Sequence, residues 1–185
     1  MAAPSTQNML RIPGKLVKDP TDLSAAYPYG GTELGLVHQA MFKPQAKHHP
    51  ITAEEWGEQT VEVISGGTSV LFGVTLRGMD NDAWSSVWPD TATGSPSGDK
   101  TIRFRVDNSR AGSLLSASSM ILLFVPEAVM RHRAVIIRDA IPVVVEDASI
   151  QFSASEEIAL DVIFYGRPDS SERVAQIGYI KDLAL

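Results

Sequence analysis

The chain contains no cysteine. That absence excludes disulfides and thiolate metal sites, and it fits an intracellular origin. No apolar run approaches the roughly 18 residues of a membrane span; the longest, Met120 to Val125, has only a strand's length. The opening residues, Met-Ala-Ala-Pro-Ser-Thr-Gln-Asn, lack a basic start and an apolar stretch, so neither a secretory signal nor a membrane partner is expected. Positive charge is also in short supply. With 16 Lys and Arg against 22 Asp and Glu, the net charge of −6 argues against gripping nucleic acid by neutralising phosphates, although not against letting it slide past. Basic residues do not cluster with the few aromatics, which disfavours stacking on single strands. No G-x-S-x-G is present, and Gly30-Gly31-Thr32 and Gly66-Gly67-Thr68 lack the lysine and the following helix of a phosphate loop.

What is present reads as β structure. At 185 residues and 44% hydrophobic content, the chain suits one domain with a sizeable core. Its organising stretch runs from Trp56 to Pro89. Val70, Phe72, Val74 and Leu76 alternate with Ser69, Gly73, Thr75 and Arg77, the period of a half-buried strand. Thr60 to Ile64 forms a shorter strand before it, and Ser65-Gly66-Gly67 has the freedom a hairpin turn needs. Asp80 or Asn81 then caps a short helix that places Ala83, Trp84, Val87 and Trp88 on one face, and Pro89 stops it.

The remainder follows in order. Residues 1–34 are rich in punctuation and read as an N-terminal arm; residues 35–171 form the β domain, and residues 172–185 a tail. Leu34 to Lys43 is expected to be a strand and Pro44 to Pro50 a basic loop, with a capping box at Thr52 to Glu55. Asp90 to Lys100 reads as a polar loop and Thr101 to Val106 as an alternating strand. Leu114 to Val125 is a central strand closed by Pro126. Ala134 to Ile137 leads through a bend at Asp139 to Pro142 into Val143 to Val145. Ile150 and Phe152 lie on the next strand, and Ile158 to Tyr165 returns. The expected fold is mainly β, a sandwich or barrel with one short α-helix packed against it, plus the arm and loops.

No enzyme emerges from this pattern. His48 and His49, with His38 nearby, lack a carboxylate at ligand spacing, so no metal, cofactor or catalytic residue is expected. His132 lies between Arg131 and Arg133 and reads as part of a basic edge. The pairs Glu54-Glu55, Glu146-Asp147 and Glu156-Glu157 each read as turn charges.

Two blocks together resemble the tail tube proteins of long-tailed bacteriophages. One runs from Ile51-Thr52-x-Glu54-Glu55-x-Gly57-x-x-Thr60-Val61 through Gly67, Val70, Leu76 and Asp82 to the helix ending at Pro89. The other comprises Ala140-Ile141-Pro142, Ile150-x-Phe152-Ser153, Glu156-Glu157 and Leu160-x-Val162-x-Phe164. The resemblance covers about two thirds of the chain. It implies a structural virion protein, made in the host bacterial cytoplasm, that forms rings, commonly hexameric, stacked into a hollow tube for DNA ejection. The implied partners are copies of itself, other tail proteins (sheath, tape measure, baseplate) and DNA that passes without specific binding. Under that resemblance Tyr27, Tyr29, His48, His49 and Arg167 are candidate contacts between rings. Glu146, Asp147, Glu156 and Glu157 are candidate carboxylates lining the lumen. Two other readings are a tail-completion, neck or baseplate-hub ring of the same fold, and a β-barrel module binding carbohydrate or metal.

Overall fold

The computed structural model describes residues 13–53, 59–88, 91–94, 101–104, 114–128, 132–145, 158–171 and 173–185. Nine strands and one helix are described: β1 (Gly14–Lys18), β2 (Thr32–Ala53), β3 (Gln59–Arg77), α1 (Asn81–Val87), β4 (Thr91–Gly94), β5 (Thr101–Phe104), β6 (Met120–Pro126), β7 (Ala134–Val144), β8 (Ala159–Gly166) and β9 (Ala175–Gly178). Seven of them share a sheet in the order β6-β1-β2-β3-β8-β7-β9, every pair antiparallel. A further pairing of β6 with β7 closes that sheet on itself, so β6-β1-β2-β3-β8-β7 form a barrel. Closure matters physically because it removes sheet edges that would otherwise stay unpaired. The mainly β expectation with one short helix therefore holds.

Alternation decides which side chains fill the barrel. Leu16, Phe72, Val74, Leu76, Leu122, Phe124, Leu160, Val162 and Phe164 point into one core. The Phe72 and Phe124 rings lie 5.8 Å apart, a tilted pair near its centre. Helix α1 packs on this core through Ala83, Trp84 and Val87, with Trp88 partly buried beside them. Asp80 caps it, its carboxylate accepting from the Ala83 N–H at 2.7 Å.

Strand β6 reads as a continuous apolar run because both of its faces are covered. Leu122 and Phe124 face inward, while Leu123 and Val125 join Val17, Ala134 and Ile136 in a second cluster on the outer wall. Tyr29 and Ile180 cover that cluster. The first cover is the loop after β1, tied down where the Asp19 N–H donates to the Ile121 carbonyl at 2.7 Å and the Asp19 carboxylate accepts from the Ile121 N–H at 2.9 Å. The second is the C-terminal segment, which follows β9 on the edge of β7 and turns through a short 3-10 helix at Ile180–Asp182. The segment read as an arm thus supplies a barrel strand from Gly14 onward. Gly14 is there for space: a Cβ would sit 2.4 Å from the Val125 carbonyl oxygen.

Three local expectations are corrected. Pro44 to Pro50 is not a loop but lies within the 22-residue β2. Both prolines pair in register with β3, Pro44 with Val70 and Pro50 with Val63, so their nitrogens, which carry no hydrogen, face the free edge, where proline is tolerated. Ser65-Gly66-Gly67 is not a hairpin turn. β3 runs straight through it, and Gly67, at φ +91, absorbs a bulge where the register slips between Ala46 and His48. The bend expected at Asp139 to Pro142 is likewise a bulge inside a continuous β7, at Arg138 and Asp139. In addition, Thr91–Gly94, expected as loop, pairs with β5. Leu114 to Val125 divides into a 3-10 turn at Leu115–Ser118 and β6. Ile150 and Phe152 lie outside the described residues.

Candidate assembly surface

The strands β2 and β3 outrun the barrel. Strand β1 accompanies β2 only as far as Val37, and β8 accompanies β3 only from Val70 to Arg77. Past those points β2 and β3 pair with each other alone, out to Ala53 opposite Gln59. From Pro44 onward the ribbon projects roughly 30 Å at about 3.3 Å per residue. Ile51, Val63 and Ile64 are about half exposed on it, at 45%, 50% and 52%. A two-stranded ribbon has little stability of its own in water. Its two edges differ: Pro44 and Pro50 remove donors from the β2 side, whereas Gln59 to Ser69 of β3 contain no proline and, among the described residues, meet no further strand.

The barrel's outer wall is equally uneven. The side formed by β1, β6 and the start of β7 is sealed by the two cover segments. Across β2, β3, β8 and β7 no described segment covers the wall, and the register aligns two rows there. Met41, Gly73, Ile163 and Val143 form one row, and Lys43, Leu71, Tyr165 and Ile141 the other. Met41, Lys43 and Tyr165 are exposed, and the rest half-buried. Exposed apolar side chains gathered in this way make the wall a candidate interaction surface.

The sequence candidates for ring contacts occupy separate places. His48 and His49, adjacent on the ribbon, face opposite sides of it, His49 lying close against Gly66. Arg167 follows β8, where its guanidinium donates to the Asp139 carboxylate at 2.6 Å and its backbone N–H to the Asp139 carbonyl at 2.8 Å. Tyr27 and Tyr29 meet edge to face, their centroids 5.9 Å apart. Tyr29 is buried in the second cluster, so its ring already belongs to its own fold. Tyr27 is partly exposed, with the Lys15 ammonium 4.7 Å from its ring centroid. Burial and a hydrogen bond with Glu33 push the Tyr27 hydroxyl far above the usual tyrosine range. Lys15 also pairs with Glu33 at 3.3 Å. The lumen candidates Glu146, Asp147, Glu156 and Glu157 lie outside the described residues.

Below Tyr27 a cavity of about 520 Å³ opens between the starts of β1 and β2 and the end of β3. Lys15, Leu36, His38 and Arg77 line it, as does Glu127. Spacing could not have revealed it, because its side chains come from five separate stretches. Among the described residues no three His, Asp or Glu side chains gather as a metal set, and no helix is long and apolar enough to cross a membrane.

Compared with models of known protein families, the chain matches none, and no curated protein matches it either.

Proposed function

We propose that this chain is a structural subunit that assembles with copies of itself into stacked rings, forming a hollow tube of the kind found in the tails of long-tailed bacteriophages. The observation that carries the reading is the projecting ribbon, exposed on both faces, one of whose edges retains every donor. A lone molecule has nothing to gain from ordering some twenty residues this way, since fixing each backbone costs about 1–2 kcal/mol. A neighbouring copy supplies the missing strand or surface. The open apolar wall of β2, β3, β8 and β7 supports the same reading from the body side. The resemblance in the blocks around Ile51 to Pro89 and Ala140 to Phe164 supplies the particular assembly: hexameric rings in a virion tail, built in the bacterial cytoplasm, with a lumen that lets DNA pass.

Shortening the ribbon tests this. Residues 46–68 are replaced by Asn-Gly, which suits a two-residue hairpin turn. Sedimentation velocity is expected to show large assemblies for the full chain and a folded monomer for the shortened one. Assemblies of unchanged size from the shortened chain would count against the reading.

A further inference from the structure

We propose that the cavity below Tyr27 is a socket for the ribbon tip of a second copy, the segment Glu54-Glu55-Trp56-Gly57-Glu58 that joins β2 to β3. The inference rests on the self-assembly reading and names the contact that reading leaves open.

Charge and shape point the same way. Lys15 and Arg77 flank Leu36 in register, giving a row of cation, apolar side chain and cation on the outer wall. His38 stands next to it, at the bulge between Val37 and Gln39. Lys15 is already engaged with Glu33 and the Tyr27 ring, and Glu127 brings a carboxylate to the cavity. Arg77 differs, because its Nε is buried and has no hydrogen-bond partner among the described residues. A guanidinium with an unmet donor favours a carboxylate, which it can bind with two parallel hydrogen bonds. The tip carries three carboxylates around one indole. Tryptophan is a favoured anchor in interface pockets, and a cavity of about 520 Å³ has room for its ring with a carboxylate beside it. Leu36, 48% exposed, and the Tyr27 ring offer the indole an apolar seat.

The tip cannot serve its own socket. The 22 residues of β2 span roughly 70 Å at about 3.3 Å per residue, with the socket near one end and Ala53 at the other, too far for the five residues that follow it to reach back. Tip and socket therefore meet between copies. Because they are different surfaces, each copy gives one and receives one, and the contact propagates head to tail into a ring or a stack.

Two experiments test the socket. The chain has no cysteine, so Leu36→Cys combined with Glu55→Cys reports the contact without background. Under mild oxidation the double variant is expected to give a ladder of covalent multimers, while each single variant stops at dimers. Independently of any substitution, carbodiimide treatment of mixed light and heavy wild-type chains should join Lys15 of one copy to Glu54, Glu55 or Glu58 of another. Arg77→Glu and Glu55→Arg should each raise the concentration needed for half-assembly about tenfold, and their combination should restore it. Assembled protein that yields neither ladder nor mixed-isotope cross-link overturns the socket while leaving self-assembly intact. A wild-type chain that stays monomeric at every concentration overturns both.

Discussion

The guanidinium of Arg138, buried in the bulge of β7, donates to the carbonyl of Ala184, 46 residues further along the chain. Its Nε lies 3.8 Å from the Asp169 carboxylate and makes no hydrogen bond among the described residues. One side chain thus ties the chain's end to the barrel and holds Ile180 and Leu183 over the outer cluster. Arg138→Ala is expected to destabilise the fold by about 2–4 kcal/mol, because it leaves the Ala184 carbonyl without its donor and removes one of the two cations beside the Asp169 carboxylate. Urea titration followed by tryptophan fluorescence measures the loss. An unchanged midpoint would mean the C-terminal segment is held by other means.

Asp169 gives the fold an acid-sensitive element. Burial works against its charge, but hydrogen bonds from the backbone N–H groups of Arg173 and Ser171, and from the Arg173 side chain, outweigh it and hold the carboxyl below the usual range. A lowered folded-state value stabilises the protein above the unfolded value of about 3.9 and is lost as pH falls through the folded one. Asp169→Asn should therefore flatten the acid limb of the stability curve below about pH 4. A limb of unchanged slope would assign acid sensitivity to other carboxylates.

Close packing between β1 and β6 leaves no room at Gly14, where an added Cβ would meet the Val125 carbonyl and the Phe124 ring. Gly14→Ala is expected to cost about 1–3 kcal/mol through overpacking. Phe72→Ala, which empties the barrel centre, should cost about 3–5 kcal/mol. Calorimetry that ranks the two alike with a surface change such as Thr68→Ala would contradict the placement of the core.

On the open wall, Tyr165→Asp and Met41→Asp put charge into exposed apolar rows. Each should leave the unfolding midpoint nearly unchanged, within about 0.5 kcal/mol, and still reduce self-association measured by light scattering. Loss of folding together with loss of association would make these positions part of the core instead.

The alternation from Val70 to Leu76 and from Leu160 to Phe164 could be read directly, because strands buried on one face write their period into the sequence. The helix was equally plain from Asp80, Trp84 and Val87. β2 was harder. Pro44 and Pro50 look like loop residues until the partner strand shows that their nitrogens face a free edge. Gly66-Gly67 signals positive-φ freedom without saying whether a turn or a bulge will use it. The socket was invisible, since Lys15, Tyr27, Leu36 and Arg77 meet only through strand pairing. Arg138 carried a faint signal, a charged residue directly after the buried Val135-Ile136-Ile137 run, but nothing local identified Ala184 as its acceptor.

Electron microscopy of the purified chain, concentrated step by step, tests self-association most directly. The ribbon and the open wall predict rings that stack into tubes as concentration rises. A population of single folded particles at the highest concentration reached, with sedimentation to match, would contradict them.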